Sequence, residues 1–213
     1  AVPAGSHPRL LARDGRRLLN TVSLRPGEKP GMHTSSAGRM GMWLLIASLG
    51  MLFGAALVGY LVVRMRADEW PPPGSQGLPA GIWISTVLLI ILSILLVLVE
   101  RGLRAGKVIE PARLLTASVL VALAFLGSQT ASWLRLVADN TNPQDSLLMW
   151  GFFTLGFLHA VHVLFGLVPL VITAVRARMG RYTADHHEGV HLVAMYWHFL
   201  LVTWFGILIA LHI

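Results

Sequence analysis

Residues 78–99 read LPAGIWISTVLLIILSILLVLV, an apolar run without a single charge that stops at Glu100. A helix crossing a bilayer needs about 20 mostly apolar residues, because a rise of about 1.5 Å per residue must cover about 30 Å of hydrocarbon. This run meets that length, and the Pro71-Pro72-Pro73-Gly74 cluster before it marks a connector. Working outward, four more stretches qualify. They are residues 40–63 between Arg39 and Arg64, 114–134 between Arg113 and Arg135, 147–175 before Arg176, and 190–213. Turn-forming residues separate them: Gly106 with Pro111, the Asp139-Asn140-Thr141-Asn142-Pro143 run, and Gly180 followed by Asp185-His186-His187-Glu188. The fold class expected is all-α, an integral membrane bundle of about five transmembrane helices, with neither a soluble domain nor an internal repeat.

Composition agrees. Of 213 residues, 55% are hydrophobic and 13% charged, and the mean hydropathy is +0.67, which is too apolar for an ordinary soluble domain. The formal charge of +7 would raise nucleic acid as a partner in a soluble protein. Here the charges sit between apolar spans, so they read as topology determinants beside anionic headgroups, and no nucleic-acid partner is expected. With no cysteine, disulfides, iron–sulfur clusters and thiolate metal sites drop out.

Residues 1–38 form a basic polar N-terminal arm, and residues 39–213 the five-helix membrane domain. Arg9, Arg13, Arg16 and Arg17 interrupt the leucines of the arm, so it lacks the apolar core of a signal peptide and reads as extramembrane. All Lys and Arg except Arg64, Arg66 and Arg135 fall in the arm, the second connector or the fourth. By the positive-inside rule the N-terminus lies in the cytoplasm, or on the equivalent matrix side, and the C-terminus on the other side of a membrane crossed several times.

Polar side chains at membrane depth must find partners within the protein. They are Ser128, Gln129 and Thr130 in the third span, His159 and His162 in the fourth, and His198 in the fifth. His159 and His162 share a helix face, as nearly do His191 and His198. One reading is haem ligation by histidines on facing helices, as in a membrane cytochrome b. Its difficulty is that three residues give only about 4.5 Å of rise, too little for two haems stacked across a bilayer. A second reading is His187-Glu188-Gly189-Val190-His191, a literal H-E-x-x-H that could hold zinc in an intramembrane protease. The third ligand such an enzyme needs is missing, since every Asp and Glu lies in the arm, a connector or a span boundary. A third reading is hydrogen bonding across helix interfaces. Trp70, Trp133, Trp150 and Tyr182 read as interfacial anchors, and Gly50, Gly54 and Gly59 as a small-residue row permitting close helix packing.

The second half of the chain resembles a known family. Phe152-Phe153-Thr154-Leu155-Gly156-Phe157-Leu158-His159-Ala160-Val161-His162-Val163 resembles the F-F-x-x-T-G-F-H-G-L-H-V segment of subunit III of the haem-copper oxidases. Tyr182-Thr183-Ala184-Asp185-His186-His187-Glu188-Gly189 resembles its F-T-x-x-H-H-x-G loop, and Tyr196-Trp197-His198-Phe199 repeats its Y-W-H-F. Met42-Trp43-Leu44-Leu45-Ile46-Ala47-Ser48 with Met51-Leu52-Phe53-Gly54 is similar to its G-x-W-x-F-x-x-S-E-x-x-L-F. The likeness covers residues 40–213 and is general in the second and third spans. Five spans are similar to the short bacterial members, and that likeness implies a multi-pass protein of the bacterial cytoplasmic (inner) membrane with a cytoplasmic N-terminus and a periplasmic C-terminus.

The resemblance implies a subunit that is not itself catalytic, within a terminal oxidase that couples oxygen reduction to proton pumping in aerobic respiration. It implies no cofactor in this chain, with haem and copper in the partner subunit I. The partners implied are subunit I above all, subunit II and other oxidase subunits, and membrane phospholipids. His159, His162, Trp197, His198 and Gln129 are the residues expected at lipid or subunit contacts. Three positions depart from the pattern: Leu49 stands where the family has its intramembrane Glu, His191 where it has the Glu of G-F-E, and Leu201 where it has the Asp after Y-W-H-F. The first change removes the carboxylate on which a proton-related role would rest. A subunit III relative serving a quinol oxidase or nitric oxide reductase is the alternative within the same resemblance.

Overall fold

The computed structural model describes residues 32–66, 81–107, 109–138, 147–182 and 187–212. Every element among them is a helix: α1 Met32–Arg64, α2 Gly81–Arg104, α3 Ile109–Ala138, α4 Leu147–Arg178 and α5 Glu188–His212. Each contains a stretch long and apolar enough to cross a membrane, as the hydropathy pattern predicts. Contacts divide the chain into residues 1–37 and 38–213, and of the first unit only the opening turns of α1 are described. Most of the arm, the first connector with Trp70, the Asn140-Thr141-Asn142 connector, and Asp185 with His186 lie outside the described residues.

Helix ends differ from the apolar limits for local reasons. α1 is helical back to Met32, because nothing in His33-Thr34-Ser35-Ser36-Ala37 breaks a helix. α3 starts at Ile109, five residues before the apolar run, with Pro111 in its first turn, where a missing N–H costs nothing. α2 and α4 end alike. Lys107 N–H donates to Gly102 C=O and Arg181 N–H to Arg176 C=O, each at 3.1 Å, across Gly106 and Gly180 at positive φ.

Neighbours in sequence pack side by side, α2 on α3, α3 on α4 and α4 on α5, and α5 closes the set against α2. The four seams are marked by hydrogen bonds. Ser85 Oγ donates to Ser128 Oγ at 3.2 Å, Arg178 Nε to Thr116 Oγ1 at 3.0 Å, Tyr196 OH to His162 C=O at 2.8 Å, and Trp204 Nε1 to Thr86 Oγ1 at 2.9 Å. In a bilayer such bonds and close packing hold helices together, since lipid tails compete with any apolar contact.

α1 stands apart from this ring. Its Cα atoms make no close approach to another described helix, and 11% of its apolar stretch is buried, against 28–50% in the others. The expected glycine packing row is not used as one: a Cβ on Gly54 or Gly59 would meet nothing within 4 Å. Long side chains bridge the gap instead. Phe53 lies edge-on to His162 and Phe199, the Tyr60 ring fills the space over Gly151, and Arg64 Nη1 donates to Ala210 C=O at 3.2 Å.

Candidate functional site

Where α1 stands off, a pocket opens between it, α4 and α5. The α4 wall comes from a seven-residue stripe, His162, Pro169 and Arg176, with Phe165 and Thr173 beside it. Positions seven apart fall on nearly one face of a helix. Met42, Leu45 and Leu49 face them from α1, and Gly189, Leu192, Val193 and Tyr196 from α5, again at spacings of three and four. Its volume is about 560 Å³, within the range of small-molecule sites, about 300–1,000 Å³.

The chemistry is uneven along its length. His162 and Arg176 stand fourteen positions apart on α4, about 21 Å of rise. Arg176 is exposed and lies at the end of the pocket beside the connection to α5, with Tyr182 buried next to it. Aliphatic and aromatic groups make up most of the remaining wall. Pro169 has no N–H to offer Phe165 C=O, an omission that membrane helices tolerate within a bundle. His162 Nδ1 is 2.7 Å from Leu158 C=O, so that nitrogen carries the proton. The Tyr196 ring sits against Gly166, and its hydroxyl binds His162 C=O, which fixes the back wall. Leu49 lines this pocket, so the α1 wall is apolar there.

The other expected residues lie elsewhere. His159 is fully buried, with Trp204 at 5.0 Å, Phe125 at 5.9 Å and Phe53 at 6.2 Å between ring centroids. Its two nitrogens have no hydrogen-bond partner among the described residues, nor do the side-chain amide of Gln129 or Nε1 of Trp197, both also buried. His198 is half-buried, with Nδ1 2.7 Å from Ser93 Oγ on α2. Of the five, only His162 reaches the pocket.

The H-E-x-x-H segment opens α5. His191 Nδ1 lies 3.0 Å from Glu100 Oε1 at the end of α2, and Glu100 Oε2 also takes Arg104 at 3.4 Å. Two residue pairs, Ser93 with His198 and Glu100 with His191, therefore sit seven apart along one antiparallel seam. Among the described residues no three His, Asp or Glu side chains are grouped to hold a metal ion.

Sequence reasoning missed Arg176 and Tyr182 as pocket residues, taking one for a topology charge and the other for an interfacial anchor. Tyr182 is 9% exposed and lines the pocket, and Trp150 is exposed. The seven-residue repeat from His162 through Pro169 to Arg176 was the available signal.

A family model described as cytochrome c oxidase subunit III matches residues 25–213. The chain is similar to cytochrome c oxidase subunit 3 of Arabidopsis thaliana, 29% identical over 202 residues that cover 89% of this chain and 74% of that protein. It is also similar to the proteins of the same name from Thermostichus vulcanus, 26% identical over 82% of this chain and 86% of the other, and Synechocystis sp., 26% identical over 88% and 81%.

Proposed function

The chain belongs to the cytochrome c oxidase subunit III family, and from that premise we propose how it serves its complex. As a multi-pass membrane protein with the role of subunit III in a haem-copper oxidase, it associates with other oxidase subunits. In our reading its main contact is subunit I, which carries haem and copper, with subunit II and others alongside. It transfers no electrons itself and supports an oxygen reduction coupled to proton pumping. The arm and the connections after α2 and α4 face the cytoplasm, and the membrane is the bacterial inner membrane.

The observation that carries the proposal is the pocket between α1, α4 and α5, an apolar trough with Arg176 at one end. That is the form of a phospholipid site: a guanidinium binds phosphate with two parallel hydrogen bonds, and aliphatic walls take an acyl chain. His162 meets the chain from the far end of the trough, while His159, His198, Gln129 and Trp197 maintain the helix contacts that shape it. A lipid there joins the standing-off α1 to the ring.

The test is His162→Leu in the assembled oxidase, with His198→Leu beside it. The expected result is an oxidase with an unaltered haem spectrum that loses activity several-fold faster during turnover or yields less complex. A displaced Soret band in an otherwise intact complex would overturn the packing role.

A further inference from the structure

A second cavity, separate from the pocket above, lies between α3 and α4 at the end carrying the turns at Gly106 and Gly180. It is a notch of about 360 Å³ framed by Ala112, Arg113 and Thr116 on α3 and by Ala177 and Arg178 on α4. A narrower groove of about 140 Å³ shares Thr116 and Arg178 with the notch and continues between the helices over Val119, Val171 and Val175.

Two guanidiniums line this notch, one from each helix. Arginines at helix ends ordinarily extend into water or headgroups. Arg178 is held instead: its Nε donates to Thr116 Oγ1 at 3.0 Å across the seam, and that hydroxyl donates to Ala112 C=O at 3.0 Å. The tether leaves the two terminal nitrogens of the guanidinium to serve another acceptor. Arg113 has no ion-pair partner among the described residues, and Glu110 on the same turn is bonded by Lys107 at 2.8 Å. Among the described residues no carboxylate pairs with either guanidinium, and the first turn of α3 adds the positive end of its dipole. Below it the groove has an apolar floor running into the membrane-spanning part of both helices. A free anion would use only the notch, whereas a lipid uses both parts.

We propose that this α3–α4 notch and groove form a second anionic phospholipid site, with the phosphate between Arg113 and Arg178 and an acyl chain over Val119, Val171 and Val175. A basic recess between membrane helices is suited to anionic headgroups. The site is independent of the Arg176 pocket, so either can fail alone.

Native mass spectrometry of the full chain in mild detergent, titrated with phosphatidylglycerol or phosphatidylcholine, tests the proposal. The wild type should retain phosphatidylglycerol in preference to phosphatidylcholine at two separable sites. Arg113→Gln with Arg178→Gln should weaken one of them by about 30-fold, from about fivefold per arginine, and leave the other. Arg176→Gln should do the reverse, and its failure would bear on the pocket alone. Arg113→Lys with Arg178→Lys, which keeps the charge, should retain most of the binding, and Val171→Trp, which fills the groove, should reduce it with both arginines present. Unchanged phosphatidylglycerol affinity in the double Gln variant would overturn the proposal. So would equal competition by soluble glycerophosphoglycerol, which has the headgroup and no chain.

Discussion

Trp204→Ala is expected to lower the melting temperature of the detergent-solubilised chain by about 10 °C. The indole is 1% exposed and lies where all four ring helices meet. It stands edge-on to Phe125 of α3 at 5.7 Å, tilted against His159 of α4 at 5.0 Å, and donates to Thr86 of α2. Removing a buried Trp costs about 3–5 kcal/mol, a large part of a typical stability of about 5–15 kcal/mol, and each kcal/mol moves a chain of this size by about 2–4 °C. Trp204→Phe keeps most ring contacts and loses only the N–H, worth about 0.6 kcal/mol in a membrane, so its shift should be a degree or two. Circular dichroism melts of both variants decide the matter. A loss of under 2 °C for the Ala variant would mean the aromatic cluster does not hold the ring together.

The second large effect belongs to α1. A Cβ at Gly151 would collide with the Tyr60 ring, so Gly151→Leu must expel Tyr60 from between the helices. α1 is held otherwise by Phe53, by Leu57 against Gly206, by the Arg64 hydrogen bond to Ala210 and by partly buried side chains such as Leu49 and Leu61. Overpacking of this kind costs about 1–3 kcal/mol, which predicts about 5- to 150-fold less hydrogen-exchange protection. The loss should be confined to the second half of α1, with α2 to α5 unchanged. Tyr60→Ala in the same chain should return part of the protection by vacating the space. Protection that is unchanged, or lost evenly over all five helices, would contradict the account of α1 as a helix attached by side chains.

These two sites differ in how far they can be read from sequence. The spans were legible because hydropathy alone marks a membrane helix, and residues 78–99 could be little else. Helix starts were not, because a helix continues past the bilayer until something stops it: α1 runs back to Met32 and α3 to Ile109. Which helices touch was not legible either. A soluble helix shows its buried face by polar residues on the other side, but a helix in lipid is apolar all round, so the pattern carries little about neighbours. Gly50, Gly54 and Gly59 illustrate this, since a row of small residues permits a close approach without supplying the partner.

The candidate site was half legible for a similar reason. The histidines stood out as polar groups at membrane depth, and His162 does line the pocket. His159 drew notice on the same grounds yet faces three aromatic rings of its own chain. Arg176 was visible, but an arginine at a span boundary serves topology in most chains, and only the trough beside it marks a second use. Leu49 and His191 depart from the motifs on which the resemblance rests. The structure gives each a setting, one in the pocket wall and the other paired with Glu100.

We propose that this chain is a colourless subunit serving a haem- and copper-bearing partner. The most direct test is to purify the tagged full chain from its native membrane in mild detergent, then measure the optical spectrum and metal content of what accompanies it. The account predicts a larger subunit carrying haem and copper that co-purifies in about equal amount, and no absorbance or stoichiometric zinc in this chain once the two are separated. A chain that emerges alone with haem or zinc bound would contradict it and make the histidines ligands.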